Sequence, residues 1–512
     1  MHRPPTVEEQ VAAELAEIRP GLVARYSAEL PGARSAVLSR LWRALAHEPL
    51  PWIARRGPDG RGGPDGPGLA LWLGDGRVLR GPRADPYATG DYVRVVDLDG
   101  ESYDDAARLM TDLAVPHSAG YAAELAHSTA SLALSRAGRP TGPQEWPTRD
   151  WRWEQRVADG HPFHPNCRSR PGFSVAEQLA YGPEHGPVVE LRSVPVRREE
   201  CLVTGSWPEE TGDGGRLLIP VHPWQAEHVL KTAGEPWRSA HPLMSLRTLA
   251  LPEDGPHVKT ALSTRLTSSV RDISEYSVGV SAALSSFAED LAARTDGLLH
   301  ITRTLGAVTA HSPDLAAVLR ESPRQYAAPD ELALPVGALA TTDLPDSPAW
   351  LAEFTRLALT VGLRLLDLGV ALEAHGQNLL VVLSATGAPL RLVYRDLADI
   401  RVSPARLARH AIAPPALTGR LVTDDETALR RKLFGSLVAG ALAGTAGSGA
   451  ALGAALETVV RDLPRTDDLR ALCAEPLPAK ALTLMRLSPQ TPGDQWFGLP
   501  NPLVLEPGTS DQ

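Results

Sequence analysis

Apolar residues recur at three- and four-residue spacing over Val7–Ile18 and Ala36–Leu45, so the chain is expected to open with amphipathic helices. Helical spacing returns over Asp104–Leu113 and Ala119–Arg136. Between these, Leu69–Leu73 and Val78–Leu79 flank Gly74, Asp75 and Gly76 and predict a hairpin. The stretch Arg56–Gly68 is too rich in Gly and Pro for regular structure and reads as a flexible loop. Residues 1–150 are therefore expected to form a mostly helical support domain with no catalytic pattern. A Pro- and Trp-rich segment, RPTGPQEWPTRDWRW, marks the next boundary. Strand-like runs then dominate to about residue 345: Val188–Val196, Arg216–Val221, His257–Leu262 and Leu298–Leu305, with a helix expected over Asp314–Arg320. A long helix is predicted from Trp350 to Ala374, and residues 346–512 read as mostly helical. The charge-free run Phe434–Leu456 contains Gly440 and Gly444 at the spacing of paired membrane helices. The glycines from Gly444 to Gly449 break it, so a buried helical hairpin is expected rather than a membrane span.

Composition narrows the class. A chain of 512 residues exceeds one hydrophobic core, and about three domains are expected. The formal net charge of −10 argues against general affinity for nucleic acid or anionic membrane, but allows a local basic pocket. The three cysteines are far apart, which disfavours an iron–sulfur or structural zinc site and suggests a reducing compartment. MHRPPTVEEQ has no apolar signal region, so a cytoplasmic location is expected.

The densest chemistry lies between Ser245 and Arg271. Ser245, Arg247, Lys259, Ser263, Thr267, Ser268 and Arg271 fall on two strands around a turn rich in Pro, Asp and Gly. Arg offers a bidentate fork, Lys a point charge and the hydroxyls directional hydrogen bonds, a set suited to phosphate. Taken alone, the block could equally be a solvated hairpin face. In GHPFHPNCRSRPGF, His161 and His164 each precede a proline, which forces extended geometry. With no third ligand nearby, an anion held by His161, His164, Arg168 and Arg170 fits better than zinc, and a structural turn is the alternative. IPVHPWQ, with His222 and Gln225, reads as architecture more than site.

The most specific pattern is Glu373-Ala-His-Gly-Gln-Asn378, a strand Leu379–Leu383, a turn, a strand Leu390–Tyr394, then Arg395 and Asp396. A tight hairpin returns Asp396 to Asn378, beside His375 and Gln377. An amide oxygen and a carboxylate are hard ligands suited to Mg²⁺ held against nucleotide phosphates. Protein kinases use a comparable Asn and Asp one hairpin apart. Near the C-terminus, Lys480 and Arg486 could hold a carboxylate on one face of an extended segment, or be surface charges on a helix.

Together GHPFHPNCRSRPGF, IPVHPWQ, MSLRTL, HVKTALSTRLTSSVR, EAHGQNLL, YRDL and PAKALTLMRL…NPL resemble, in order from about residue 154 to about 503, the NRPS-independent siderophore synthetases of the IucA/IucC family. The resemblance implies an α+β, hand-like architecture: a thumb (1–150), fingers (151–345) and a palm (346–512), with an ATP site reminiscent of kinases. It places Ser245, Arg247, Lys259 and Arg271 on the phosphates, and His375, Gln377, Asn378 and Asp396 on nucleotide and metal positions. Arg271, His375 and Lys259 would be catalytic. Arg168 stands where the family usually has Lys. The implied reaction uses ATP and Mg²⁺ to adenylate a carboxylic acid, which then condenses with an amine or alcohol, and a homodimer is expected. A small-molecule kinase using the Asn–Asp pair is the alternative function. A siderophore-binding or ferric-reductase protein is disfavoured, because Cys473 stands alone.

Overall fold

The structure is a computed structural model and describes residues 5–60, 68–140, 145–208, 215–266 and 269–504. Thr6 opens the helix Val7–Ile18 with a reciprocal cap to Glu9. The helices Val23–His47 and Ser118–Ala137 pack against it and against each other. Their apolar faces bury Tyr26, Leu38, Leu41, Trp42 and Leu125 in one core. This region is less helical than its pattern suggests. It carries a five-stranded antiparallel sheet of Ile53–Pro58, Leu69–Leu73, Val78–Gly81, Val96–Leu98 and Glu101–Tyr103. Residues 56–58, expected in a loop, end the first strand, while the glycine-rich 61–67 lie outside the described residues. The last two strands turn through Asp99 and Gly100 at φ +52° and +93°. An Asp-Gly pair between alternating residues is a strong hairpin signal, visible in VVDLDGESY.

An eight-stranded sheet follows, in the order Leu202–Gly205, Thr304–Thr309, Ala316–Arg320, His257–Thr260, Thr248–Ala250, Glu235–Pro242, Val189–Arg197 and Arg216–Val221. The segment expected as a helix over Asp314–Arg320 is thus a central strand. Every residue of Ala316–Arg320 is buried, and the strand pairs on both edges. Burial on both faces removes the period that separates strand from helix, and Ala and Leu favour helix locally. The Thr248–Ala250/His257–Thr260 hairpin forms as read, with Thr248 opposite Lys259.

The third core surrounds a four-stranded sheet ordered Leu299–Ile301, Pro389–Tyr394, Leu379–Leu383 and Leu332–Pro335, with the helix Pro348–Leu368 against it. That helix stops short of the expected Ala374 because Gly369 adopts φ +110°, and Val370–Ala371 leave as a strand toward Arg401–Val402. The apolar C-terminal run forms wide π-helical turns over Phe434–Leu442, a short helix to Ala446 and a second helix Gly449–Val460 bent away by 117°. Among the described residues no single helix is long and apolar enough to cross a membrane.

Gly369 supports a direct test. A Cβ there would lie 2.9 Å from the Leu407 nitrogen and 3.0 Å from the Ser403 oxygen, on top of the cost of a left-handed φ. Gly369→Ala should lower the thermal unfolding midpoint by a change worth about 1–3 kcal/mol. Gly21→Ala, whose Cβ meets nothing within 4 Å, should not. Equal midpoints for the two variants would show that Gly369 is not strained.

Candidate active site

All three cores contribute walls to one cleft of about 2620 Å³. Its charged wall begins on the strand His257–Thr260. Alternation there sends Val258 into the sheet core and Lys259 to the opposite face, toward the cleft. Lys259 Nζ lies 2.6 Å from Asp396 Oδ2, and Arg320 Nη2 lies 3.5 Å from the same oxygen. Arg247 donates to the carbonyl oxygens of Arg271 and Asp272 at 2.6 and 2.7 Å, and Arg271 donates to the Leu266 carbonyl at 3.3 Å. Asp396 itself is held at φ +72°.

Four cations therefore line a patch whose nearby carboxylates are Asp396, Asp272 and Glu373. Burial depresses the Lys259 ammonium to about 7; Asp396 opposes the shift, while Arg247 and Arg320 add to it. Burial also lowers Arg247 to about 10 and lowers Arg271. Burial would raise Asp396, yet Lys259, Arg320 and Arg247 hold it well below the usual carboxylate range. The patch has more positive charge than its own carboxylates neutralise, which favours a polyanion.

The loop between Glu373 and Asn378 faces this patch. Gly376 and Gly337 touch backbone to backbone, with Gly337 N donating to Gly376 O at 2.7 Å, and a Cβ on either would meet the other's backbone tightly, at 3.0–3.2 Å. His375 Nδ1 accepts from Gln377 N at 3.2 Å, so the neutral ring carries its proton on Nε2. Burial, reinforced by Lys480 and Arg271, pushes this imidazole down to about 4. The hairpin register sets Leu379 opposite Tyr394, and Arg395 N donates to Asn378 O at 3.0 Å, so Asn378 and Asp396 share one end as read. The Asn378 amide nitrogen donates weakly to the Glu373 carbonyl at 3.4 Å, which leaves its oxygen for a cation. Among the described residues no three His, Cys, Asp or Glu side chains form a metal cage. Two hard oxygens with phosphate and water completing the shell suit Mg²⁺ carried by a nucleotide better than a free-metal site.

Other expected residues are placed differently. Ser245 lines the cleft while its hydroxyl caps Thr248 N at 3.1 Å. Ser263 donates to Asp314 and is held by Gln225, away from the cleft wall; Thr267 and Ser268 lie outside the described residues. His222 is buried, accepting from Trp224 N at 3.2 Å beside Tyr181, so IPVHPWQ is architectural as expected. His161 and His164 both line the cleft, and His164 is buried with neither ring nitrogen bonded within the protein. The Arg168 and Arg170 guanidiniums instead share the buried Glu184 carboxylate, at 3.5 and 2.8 Å, and Arg168 also donates to the Ala158 carbonyl. Lys480 ends the strand Leu477–Lys480 and faces the cleft, 3.0 Å from Asp494 and 3.5 Å from Glu373. Arg486 lies on the helix Leu482–Leu487 and grips Glu124 through two hydrogen bonds. Strand followed by helix means the two cations never share an extended face.

The sequence reading passed over Arg320 and Lys432. Arg320 was hidden by the helical reading of its strand. Lys432, which bridges Glu373 at 3.2 Å and Asp399 at 2.7 Å in the cleft wall, sits in a run of basic residues that looks like a solvated helix end.

Residues 150–341 match the IucA / IucC family model, and residues 348–494 match one described as ferric iron reductase FhuF-like transporter. Cys473 is the one cysteine in the second segment. A Staphylococcus aureus 2-[(L-alanin-3-ylcarbamoyl)methyl]-3-(2-aminoethylcarbamoyl)-2-hydroxypropanoate synthase is 25% identical over 331 residues, covering 51% of this chain and 53% of that protein. The citryl-spermidine/3,4-dihydroxybenzoyl-citryl-spermidine:spermidine ligase of Bacillus anthracis is 24% identical over 308 residues, covering 48% and 50%. The chain thus spans about half the length of the curated relatives it matches. Petrobactin biosynthesis protein AsbB from Bacillus anthracis shares the fold with a TM-score of 0.78 at 18% identity over 98% of each chain. ATP-bound aerobactin synthetase IucA from Klebsiella pneumoniae does so with a TM-score of 0.69 at 19% identity, over 93% of this chain and 100% of the other. In its matched region this chain is similar to the IucA / IucC family, it is similar over about half its length to curated siderophore synthetases and ligases, and it shares the fold of AsbB and IucA.

Proposed function

We propose that this protein is an ATP-dependent ligase that activates citrate or a related carboxylic acid as an acyl adenylate and joins it to an amine or alcohol. The observation that carries the reading is the cation patch of Arg247, Lys259, Arg271 and Arg320 around Asp396, facing the His375–Asn378 loop across one cleft. A carboxylate is a poor electrophile at neutral pH. Attack of its oxygen on the α-phosphorus of ATP expels pyrophosphate and leaves a mixed anhydride; attack of the amine on the acyl carbon then expels AMP. The four cations would stabilise charge developing on the phosphates, and His375 would donate from Nε2 as a neutral acid. Mg²⁺ held by Asn378 and Asp396 would neutralise phosphate charge. Lys480, His161 and His164 would receive the carboxylate. Residues 1–150, 151–345 and 346–512 would be thumb, fingers and palm around a kinase-like nucleotide site, with the strands Leu299–Ile301 and Leu332–Pro335 reaching into the sheet of the last.

Lys259→Ala and Arg271→Ala should each cut acid-dependent pyrophosphate release by about 10²–10³-fold while far-UV circular dichroism is unchanged. Near-normal turnover in either variant would sink its assignment to the phosphates, and ADP in place of AMP as product would identify a kinase.

Acidity gives a second check. With Lys259 at about 7 in the free protein, the ammonium that attracts phosphate predominates below that value and the neutral amine above it. Nucleotide affinity measured by calorimetry should therefore weaken as pH rises through about 7. Lys259→Arg should remove that component, which separates it from titration of the nucleotide itself. Identical pH profiles for the two proteins would exclude Lys259 as the titrating group.

Lys480→Ala should raise the KM for the carboxylic acid at least about tenfold more than that for ATP, as expected for loss of one charge-assisted contact to the acid. Equal increases in both constants would assign Lys480 to the charge network with Glu373 and Asp494 instead.

A further inference from the structure

Three segments build the charged wall, and the hairpin pairing that joins the second to the third does not extend to the first. They are residues 244–247, which bring Ser245 and Arg247; residues 375–378; and residues 395–396. All three meet at one buried carboxylate. Glu154 is 1% exposed and sits on the short helix Asp150–Gln155, off the cleft surface. Its Oε2 accepts from Met244 N at 3.0 Å, and its Oε1 accepts from Arg395 Nη1 at 2.7 Å. Arg395, 6% exposed, turns its Nε and Nη2 onto the Gln377 carbonyl at 3.0 and 2.8 Å. Two residues in left-handed backbone lie beside these bonds: Leu246 at φ +62°, two positions after Met244, and Asp396 at φ +72°, next to Arg395. Non-glycine residues hold such φ only where the surroundings over-determine them.

One turn earlier the same helix presents Asp150. Its Oδ2 accepts from Ser322 Oγ at 3.0 Å and lies 3.2 Å from His257 Nε2. His257 is on the strand that carries Lys259, and Ser322 follows the strand that ends in Arg320. Asp150 and Glu154 are four apart, on one helical face. Two buried carboxylates on one short helix thus reach every segment that supplies a phosphate-facing cation or the Asn378–Asp396 pair, except the strand bearing Arg271.

We propose that Glu154, acting through Arg395, is the positioning residue of the site: it contacts no substrate, but sets the Ser245–Arg247 turn, the His375–Asn378 loop and Asp396 in the one relative arrangement that binds the nucleotide phosphates. The chemistry requires a carboxylate there. Both partners of Glu154 are donors, so both its oxygens must accept; an amide would turn a donor toward a donor. Arg395 must fork, with one arm on Glu154 and the other on a carbonyl, which a lysine point charge cannot do.

The proposal rests on the ligase reading, and its test separates the two. ATP–pyrophosphate exchange is measured on wild type, Glu154→Gln and Arg395→Lys, alongside binding of a fluorescent trinitrophenyl-ATP, which needs no turnover. Both variants are expected to weaken nucleotide binding and raise the KM for ATP at least about tenfold, with a smaller change in the KM for the acid. The double variant should lose no more than the worse single one, because the residues act as a unit. Asp468→Asn is the structural control. Asp468 is a buried carboxylate bound to Arg406 and Arg430 away from the cleft, so its loss should lower the melting temperature and leave both constants unchanged. If wild type binds nucleotide but shows no acid-dependent exchange, the ligase reading fails while the binding comparison still decides Glu154. Should Glu154→Gln not fold, Arg395→Lys alone carries the test. Wild-type nucleotide affinity in the folded variants, multiplicative losses in the double variant, or an equal effect of Asp468→Asn would overturn the proposal.

Discussion

The contact between Lys259 and Asp396 is the point on which the rest of the cleft depends. A buried ammonium and a partly buried carboxylate 2.6 Å apart are a weak source of stability, because desolvating them offsets much of their attraction. Here the balance is less favourable still, since burial lowers the basicity of Lys259, Arg247 and Arg271, and Arg247 and Arg320 lower that of Lys259 further. Such an arrangement is strained by its own charge until something anionic enters. The surrounding fold holds it in place with buried hydrogen bonds.

Those bonds come from outside the strands that carry the cations. Lys259 and Arg320 are aimed by a sheet whose opposite face is a closed apolar core, so their direction follows from alternation alone. Asp396 and the His375–Asn378 loop lie on a different sheet, with a different core. The relative position of the two sheets is therefore a separate degree of freedom. The Met244–Glu154–Arg395 chain of hydrogen bonds and the Lys259–Asp396 pair each span that gap.

The other end of the cleft is organised by neutralisation. Arg168 and Arg170 share Glu184, Arg486 is held by Glu124, and Lys432 bridges Glu373 and Asp399. Their charges support the walls. Lys480 faces the cleft with two carboxylates near it, and His164, also in the lining, is buried with neither ring nitrogen bonded. Neutralised arginines there and uncompensated cations around Lys259 give one cleft two ends of different polarity.

The parts of this protein that the sequence alone determined are those set by near neighbours. The Thr248–Thr260 hairpin follows from a turn of Pro, Asp and Gly, and the return of Asp396 to Asn378 follows from two apolar runs separated by a short turn. Motif order likewise led to the family later matched over residues 150–341. Tertiary structure decided whatever depended on a partner distant in the chain. Ala316–Arg320 is a strand because neighbours hydrogen-bond both its edges, which no local period can encode. Arg168, Arg170 and Arg486 looked like ligands because a guanidinium shows its charge in the sequence, whereas the carboxylate that absorbs it does not. No local pattern marks Glu154, and only the fold brings Met244 and Arg395 to its two oxygens. Local propensity and turn chemistry act over a few residues, whereas charge pairing in a buried site is settled by whichever chains the cores bring together.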